Sequence, residues 1–279
     1  MTATEQQQLE QEVATGRFKS AAMAHAFIRD TFQKTFSLSG VRQLLKRLGF
    51  SFHKVSSFLF KAKRDKQEEF VKDYEQDKPK VESQGWRRYF IDGVHPLYGM
   101  EVLYYCWLRV GKRLELGVGG GRKRLNILGA FCPDDHEYLD RRYTDKNLTA
   151  QSVIELFERM MELHPQTKHF RIYLDNARYQ HAKVLKAWIA QTKADRGVTF
   201  DLKHLPAYSP NLNLIERLWK FMRKEALQTW HESFEKMQEA VAKVLDNLSN
   251  YKTQLRTLMT ERFHLTPDLS TLVVGQALS

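Results

Sequence analysis

Along the first fifty residues, apolar positions recur at helical spacing and predict three short helices. The third, "SLSGVRQLLKRLG", is the clearest: Val41, Leu44, Leu45 and Leu48 fall at i, i+3, i+4 and i+7. Ser37 or Ser39 can cap its start and Gly49 ends it. The opposite face carries Arg42, Gln43, Lys46 and Arg47, long donors that suit a helix inserted in a DNA groove. The first helix, from Glu5 to Thr15, is weakly apolar. Residues 55–84 turn polar and predict a linker with one short helix, roughly Asp65 to Glu75; "DKPKVESQG" reads as loop.

The pattern changes at Trp86. "WRRYFID", "EVLYYCWLRV" and "LNILGAFCP" are short, aromatic and β-branched, and predict strands. Gly119, Gly120 and Gly121 between the last two predict a hairpin turn; a phosphate loop would need a Lys-Ser/Thr pair and a following helix. A helix from Thr149 to about Leu163 follows, with Val153, Phe157 and Met160 on one face. Then come a strand "KHFRIYLDN", a helix from about Gln180 to Thr192, a strand "VTFDLKHL", and a helix opening in "LPAYSPNLNLIERLW". A last amphipathic stretch spans Ser233 to Leu248. Hairpin strands followed by alternating helices and strands predict an α/β fold, a mixed five-stranded sheet flanked by helices, behind a small all-α domain. The expected boundaries are 1–54, 55–84 and 85–279.

Composition agrees with a packed globular chain: 279 residues, 42% hydrophobic and 12% aromatic. No apolar run approaches a membrane span, and the polar start is no signal peptide, so a cytoplasmic setting is expected. Cys106 and Cys132 lie in apolar stretches without metal-ligand spacing and are expected to be reduced core residues. The net charge of +11 favours a polyanionic partner. Its distribution sharpens this: Lys34 to Lys66 holds nine Lys/Arg and one acid, and Arg109 to Arg124 holds six and one. Two separated basic clusters suit a long ligand such as a duplex.

Three carboxylates then stand out. Asp92 and Asp175 each end or interrupt an apolar strand, where an unpaired charge is costly. Singly, each fits a salt bridge or a cap. If the two strands are parallel neighbours, both acids meet at the strand ends, where open α/β sheets place ligands. Two such carboxylates ionise together cheaply only around a cation, and hard oxygen donors select Mg²⁺ or Mn²⁺. Glu216 lies about 100° round the helix from Ile215, on the border of a stripe formed by Leu212, Ile215, Trp219 and Met222. It can pair with Lys220 on the surface, or reach into a cleft at the sheet edge and complete a two-ion site for displacement at a phosphodiester. His95, His181 and His204 flank these motifs; each can touch substrate phosphate or simply pack. Asn176, Tyr208 and Asn211 can shape the cleft.

"FIDGVHP", "IYLDNARYQHA" and "LPAYSPNLNLIERLW", in that order, resemble the motifs of DDE transposases of the Tc1/mariner superfamily, specifically the bacterial IS630 group. "FSLSGVRQLLKRLGFSFHK" resembles the end of that family's DNA-binding region. The resemblance implies an RNase H-like catalytic domain, a triad of Asp92, Asp175 and Glu216, and dependence on two Mg²⁺ or Mn²⁺ ions. It further implies cut-and-paste transposition into TA sites and double-stranded transposon ends as partner. A homodimer on DNA and a place in the bacterial nucleoid go with that reading, and His181 joins the expected DNA contacts. Family members carry two helical modules ahead of the catalytic domain, so an upstream-encoded DNA-binding segment is a further expected partner. The alternative is a catalytically silent DNA-binding repressor of the same element. Two departures are visible: Leu214 stands where the family has proline, and forty residues separate Asp175 from Glu216, the extra length expected in "QTKADRG".

Overall fold

A computed structural model describes residues 1–53, 61–100, 109–110, 113–117 and 123–267. All but the last two residues of the strand expected at "EVLYYCWLRV" lie outside the described residues, as do Cys106 and the expected glycine turn. The chain forms two compact units, one built on Met1–Phe58 and the other on Leu59–Thr266.

The first unit holds helices α1 (Ala3–Ala14), α2 (Ala21–Phe32) and α3 (Leu38–Arg47). Each starts where a hydroxyl can accept a first-turn N–H: Thr2 from Glu5, Ser20 from Met23 and Ser37 from Gly40. Leu9, Ala24, Ile28, Val41 and Leu44 close a small core between them. Burial of each larger aliphatic contributes about 1.5–3 kcal/mol, so few side chains hold this unit together. Leu9 is the one buried residue of α1, which accounts for the weak pattern there. Arg42, Gln43, Lys46 and Arg47 are all exposed on α3.

The second unit is built on strands β1 (Arg87–Val94), β2 (Asn126–Phe131), β3 (Tyr138–Tyr143), β4 (His169–Leu174) and β5 (Thr199–His204), in the order β3-β2-β1-β4-β5. β1 pairs antiparallel with β2 and parallel with β4; β2–β3 is antiparallel and β4–β5 parallel. The strand β3, "YLDRRY", is not foreseen by the apolar pattern. It is an edge strand with one buried residue, Leu139, and so reads as polar.

Side-chain alternation divides the core. Tyr89 and Ile91 of β1 face α5 (Ala150–Leu163) and α6 (Lys183–Arg196). Phe90 and Val94 face the other layer, made by α7 (Ile215–Met222), α8 (Phe234–Leu245) and α9 (Lys252–Leu258). A π-helical turn, Arg223–Leu227, extends α7.

The expected linker is different in structure. Residues 64–84 form one helix, α4 (Arg64–Gln84), that runs through Pro79 and ends at Gly85 in the left-handed conformation, φ 62°. Its buried positions are Gln67, Phe70, Tyr74 and Asp77. Two of these four are polar, so the helical period is hidden, and Pro79 acts as a false stop. Asp77 accepts from Arg171 Nη1 at 3.2 Å and from the Tyr173 hydroxyl at 3.1 Å, which satisfies its buried charge and fixes α4 on β4.

Candidate active site

Asp92 lies on β1 two positions after Phe90, and therefore points to the α7 face. The parallel register pairs Ile91 with Leu174, so the residues that follow them, Asp92 and Asp175, stand side by side at the carboxyl end of β4. That is the neighbour relation that a shared cation site requires.

Glu216 arrives from the third direction. Pro210–Leu212 makes a single 3-10 turn before α7, and two buried polar residues pin this entry. Asn213 Nδ2 donates to the Ile91 carbonyl at 3.3 Å, one residue before Asp92. Ser209 Oγ accepts from Gln67 Nε2 at 2.8 Å. Gln67 is a hub: its Oε1 accepts from Thr266 N at 2.8 Å and from Asn211 Nδ2 at 3.3 Å. A glutamine on α4 thus ties the loop that aims Glu216 to the chain near residue 266.

One turn along α7, Trp219 packs against the sheet at Gly129. Its indole N–H donates to Asp92 Oδ2 at 3.2 Å. Gly129 is the residue opposite Asp92 on β2. A Cβ there would come within 2.4 Å of Trp219 Cη2, so glycine is what allows the indole to reach the acid.

Asp92, Asp175 and Glu216 together line a cleft of about 440 Å³, with Asn176, Asn213, Tyr208 and Ser209 on its wall. Burial and the nearby charges of Glu216 and Asp175 push the Asp92 carboxyl up to about 8; the Gly93 N–H and the Trp219 indole oppose that rise. Burial also raises Glu216, while Lys220 and Arg223 hold it down. Burial raises the Tyr179 hydroxyl as well, helped by the charges of Asp175 and Asp92. Asp175 itself is exposed, and its Oδ1 accepts from Ala177 N at 3.1 Å, in a turn that fixes the carboxylate.

Among the described residues, no three His, Cys, Asp or Glu side chains are gathered tightly enough to cage a single ion. The donor set nonetheless fits divalent cations. Three carboxylates share one cleft, and one of them is held neutral by burial and the other two at neutral pH, a cost that a hard dication removes.

The flanking histidines separate. His204 Nδ1 meets the Asp175 carbonyl at 3.0 Å, and His181, exposed, stacks on the His204 ring at 4.5 Å. His95 Nδ1 meets Asn126 Oδ1 at 2.7 Å. Sequence reasoning does not find Trp219, Gly129, Asn213 or Gln67 as parts of the site. Trp219 and Asn213 lie inside the quoted motif, but Trp219 reads there as core alone; Gly129 and Gln67 carry no local signal.

A family described as DDE superfamily endonuclease matches residues 87–239, more than half of the chain. A winged helix-turn helix family matches residues 17–74. A search of curated proteins finds no match. Among solved structures, a pre-cleavage Mos1 transpososome aligns with 90% of this chain and 74% of its own, at TM-score 0.62 and 12% identity. A mariner Mos1 paired end complex with Mg aligns over the same shares at TM-score 0.60 and 13% identity. A Mos1 transposase paired-end complex with left transposon end covers 93% and 80%, at TM-score 0.59 and 11% identity. At such identities the likeness is one of fold, and the five-stranded mixed sheet with helices on both faces is RNase H-like.

Proposed function

The chain belongs to the DDE superfamily of endonucleases, and on that premise we propose that it is a Tc1/mariner-type DNA transposase whose metal-holding acids are Asp92, Asp175 and Glu216. The observation that carries the reading is the meeting of three carboxylates, from β1, the end of β4 and α7, in one cleft where burial and like charge hold Asp92 neutral. Asp92, Asp175 and Glu216 would hold Mg²⁺ or Mn²⁺, as two ions, which would activate an oxygen nucleophile and stabilise the leaving oxygen. The chain's own side chains do the rest. Trp219 orients Asp92, and Asn213 and Ser209 fix the start of α7.

Within this proposal the chain cuts and rejoins insertion-sequence ends, inserts at TA sites and works as a homodimer on DNA. Residues 1–54 bind the ends, with Arg42, Gln43, Lys46 and Arg47 facing the duplex and His181 touching it near the acids. The exposure of those four α3 side chains and the winged helix-turn helix match support the assignment. The cleft and its acids lie within 85–279, the expected catalytic part. The likeness to a Mos1 complex with Mg supports the choice of ion at the level of fold. No helix among the described residues is long and apolar enough to cross a membrane.

The test is incubation of the purified chain with a supercoiled plasmid carrying the element's ends, with Mg²⁺, Mn²⁺ or EDTA. Metal-dependent breaks at the ends support the proposal. End binding without breaks in either metal assigns the silent-repressor reading instead.

A further inference from the structure

The cleft does not stop at the acids. Pro206, Ala207 and Tyr208 belong to its wall and also to the wall of a second hollow of about 540 Å³. None of the three acids lines that hollow, whereas Lys61, Lys63, Lys66 and Lys203 do. Tyr208 stands at the junction. Its side chain is 51% exposed, and its backbone is left-handed, φ 59°. That conformation disfavours any residue with a Cβ, and a half-exposed ring contributes little to the core. Glycine or asparagine would make the turn more easily. The ring therefore has a use outside folding, and strained residues of this kind gather at ligand sites.

The surroundings identify the ligand class. The Lys61 ammonium lies 5.6 Å from the centre of the Tyr208 ring. Acids of α4 share the hollow, but Glu69 pairs with Lys66 at 2.7 Å and Asp77 with Arg171 at 3.2 Å. Against Asp73, the remaining acid, stand Lys61, Lys63 and Lys203. An exposed aromatic face bordered by lysines binds nucleotides by stacking and charge without reading their sequence. Bases inside a duplex have both faces covered, so a base within a continuous strand lies on Tyr208 only where it is unpaired.

We propose that this hollow is a subsite for a single-stranded stretch of DNA next to the scissile phosphate. Tyr208 stacks on one unpaired base, and Lys61, Lys63 and Lys203 carry the phosphates beyond it. The subsite rests on the DNA-cutting function proposed above, and deepens it: the strand must open beside the acids.

The experiment uses the full chain carrying Asp92→Asn, chosen to block cutting, and a DNA end with a single-stranded flap. 2-Aminopurine is placed at successive flap positions. Binding should quench its fluorescence at one position, and a fully paired probe should show no such quench. Tyr208→Gly, which suits the left-handed backbone and so preserves the loop, should abolish the quench and weaken flap binding roughly 5- to 100-fold. Tyr208→Phe should retain both. Lys61→Ala with Lys203→Ala should flatten the salt dependence of flap binding, by about 0.7 in log–log slope for each phosphate no longer neutralised. A quench that survives in Tyr208→Gly, or is absent at every position, overturns the subsite. Plasmid cleavage by the unaltered chain reports separately on the enzyme, so the subsite and the function can fail independently.

Discussion

The indole N–H of Trp219 donates to Asp92 Oδ2 at 3.2 Å, across a sheet position that Gly129 leaves bare. Three elements thus meet at one acid: β1 carries it, β2 makes room for its partner, and α7 supplies both that partner and Glu216. The glycine is a position where fold and chemistry cannot be varied separately. Gly129→Ala should destabilise the protein by about 1–3 kcal/mol through overpacking and lower cleavage by displacing the indole. Trp219→Phe should keep most of the packing and lose the hydrogen bond. Thermal unfolding and plasmid cleavage, read side by side, check this; a Gly129→Ala protein with unaltered cleavage would show that Asp92 does not need the indole.

Gln67 should behave as a positioning residue. Gln67→Leu keeps the volume but leaves the Thr266 N–H without its acceptor and Ser209 without its donor, at a cost of roughly 1–3 kcal/mol. Because Ser209 precedes the turn into α7, cleavage should fall further than stability explains, while end binding stays near that of the unaltered chain. Equal losses in binding and cleavage would reduce Gln67 to a general contributor to folding.

Much of this is legible in the sequence, and the rest has physical reasons for being hidden. The acids are legible because a carboxylate in an apolar strand is conspicuous, and the α7 stripe because Leu212, Ile215, Trp219 and Met222 keep the helical period. β3 is not, since "YLDRRY" buries a single leucine at an edge. α4 is not, since Gln67 and Asp77 hide its buried face behind polar side chains whose partners Tyr173 and Thr266 lie 96 and 199 residues away. Long-range hydrogen bonds leave no local pattern. Gly129 shows the same limit: its role depends on a tryptophan ninety residues later in the chain.

Metal and pH should act on stability together. With a folded value of about 8 against roughly 4 when unfolded, Asp92 holds its proton in the folded chain over a range where the unfolded chain has lost it. The folded state then binds more protons, so metal-free stability should fall as pH rises from about 4 towards 8 and level off above. Asp92→Asn should flatten that slope and raise the melting temperature at pH 8. Mg²⁺ or Mn²⁺ should stabilise the unaltered chain more as pH rises, because binding displaces the proton. Melting curves across this range, with and without metal, decide it; a metal-free chain that gains stability between pH 5 and 8 would contradict the charge crowding.

DNA-end binding should be electrostatic at base. Lys46→Ala with Arg47→Ala, both on the exposed face of α3, should weaken end binding and reduce the slope of log K against log salt by about 0.9 for each phosphate left without its cation. Fluorescence anisotropy across a salt series measures it, and an unchanged slope moves the DNA-facing surface off α3.

The most direct measurement is the rate of strand cleavage by Glu216→Gln in Mg²⁺. Glutamine preserves size and helix propensity and removes the charge. If Glu216 serves chiefly as a surface partner of Lys220, the loss is below about 1 kcal/mol and cutting survives. If it completes the site with Asp92 and Asp175, cleavage falls by orders of magnitude while folding and end binding hold. Asp92→Asn and Asp175→Asn should then match it, and pairs of changes should cost far less than the product of the singles, because the acids act as a unit. The three-carboxylate site predicts that collapse; a Glu216→Gln protein cutting at the rate of the unaltered chain contradicts it.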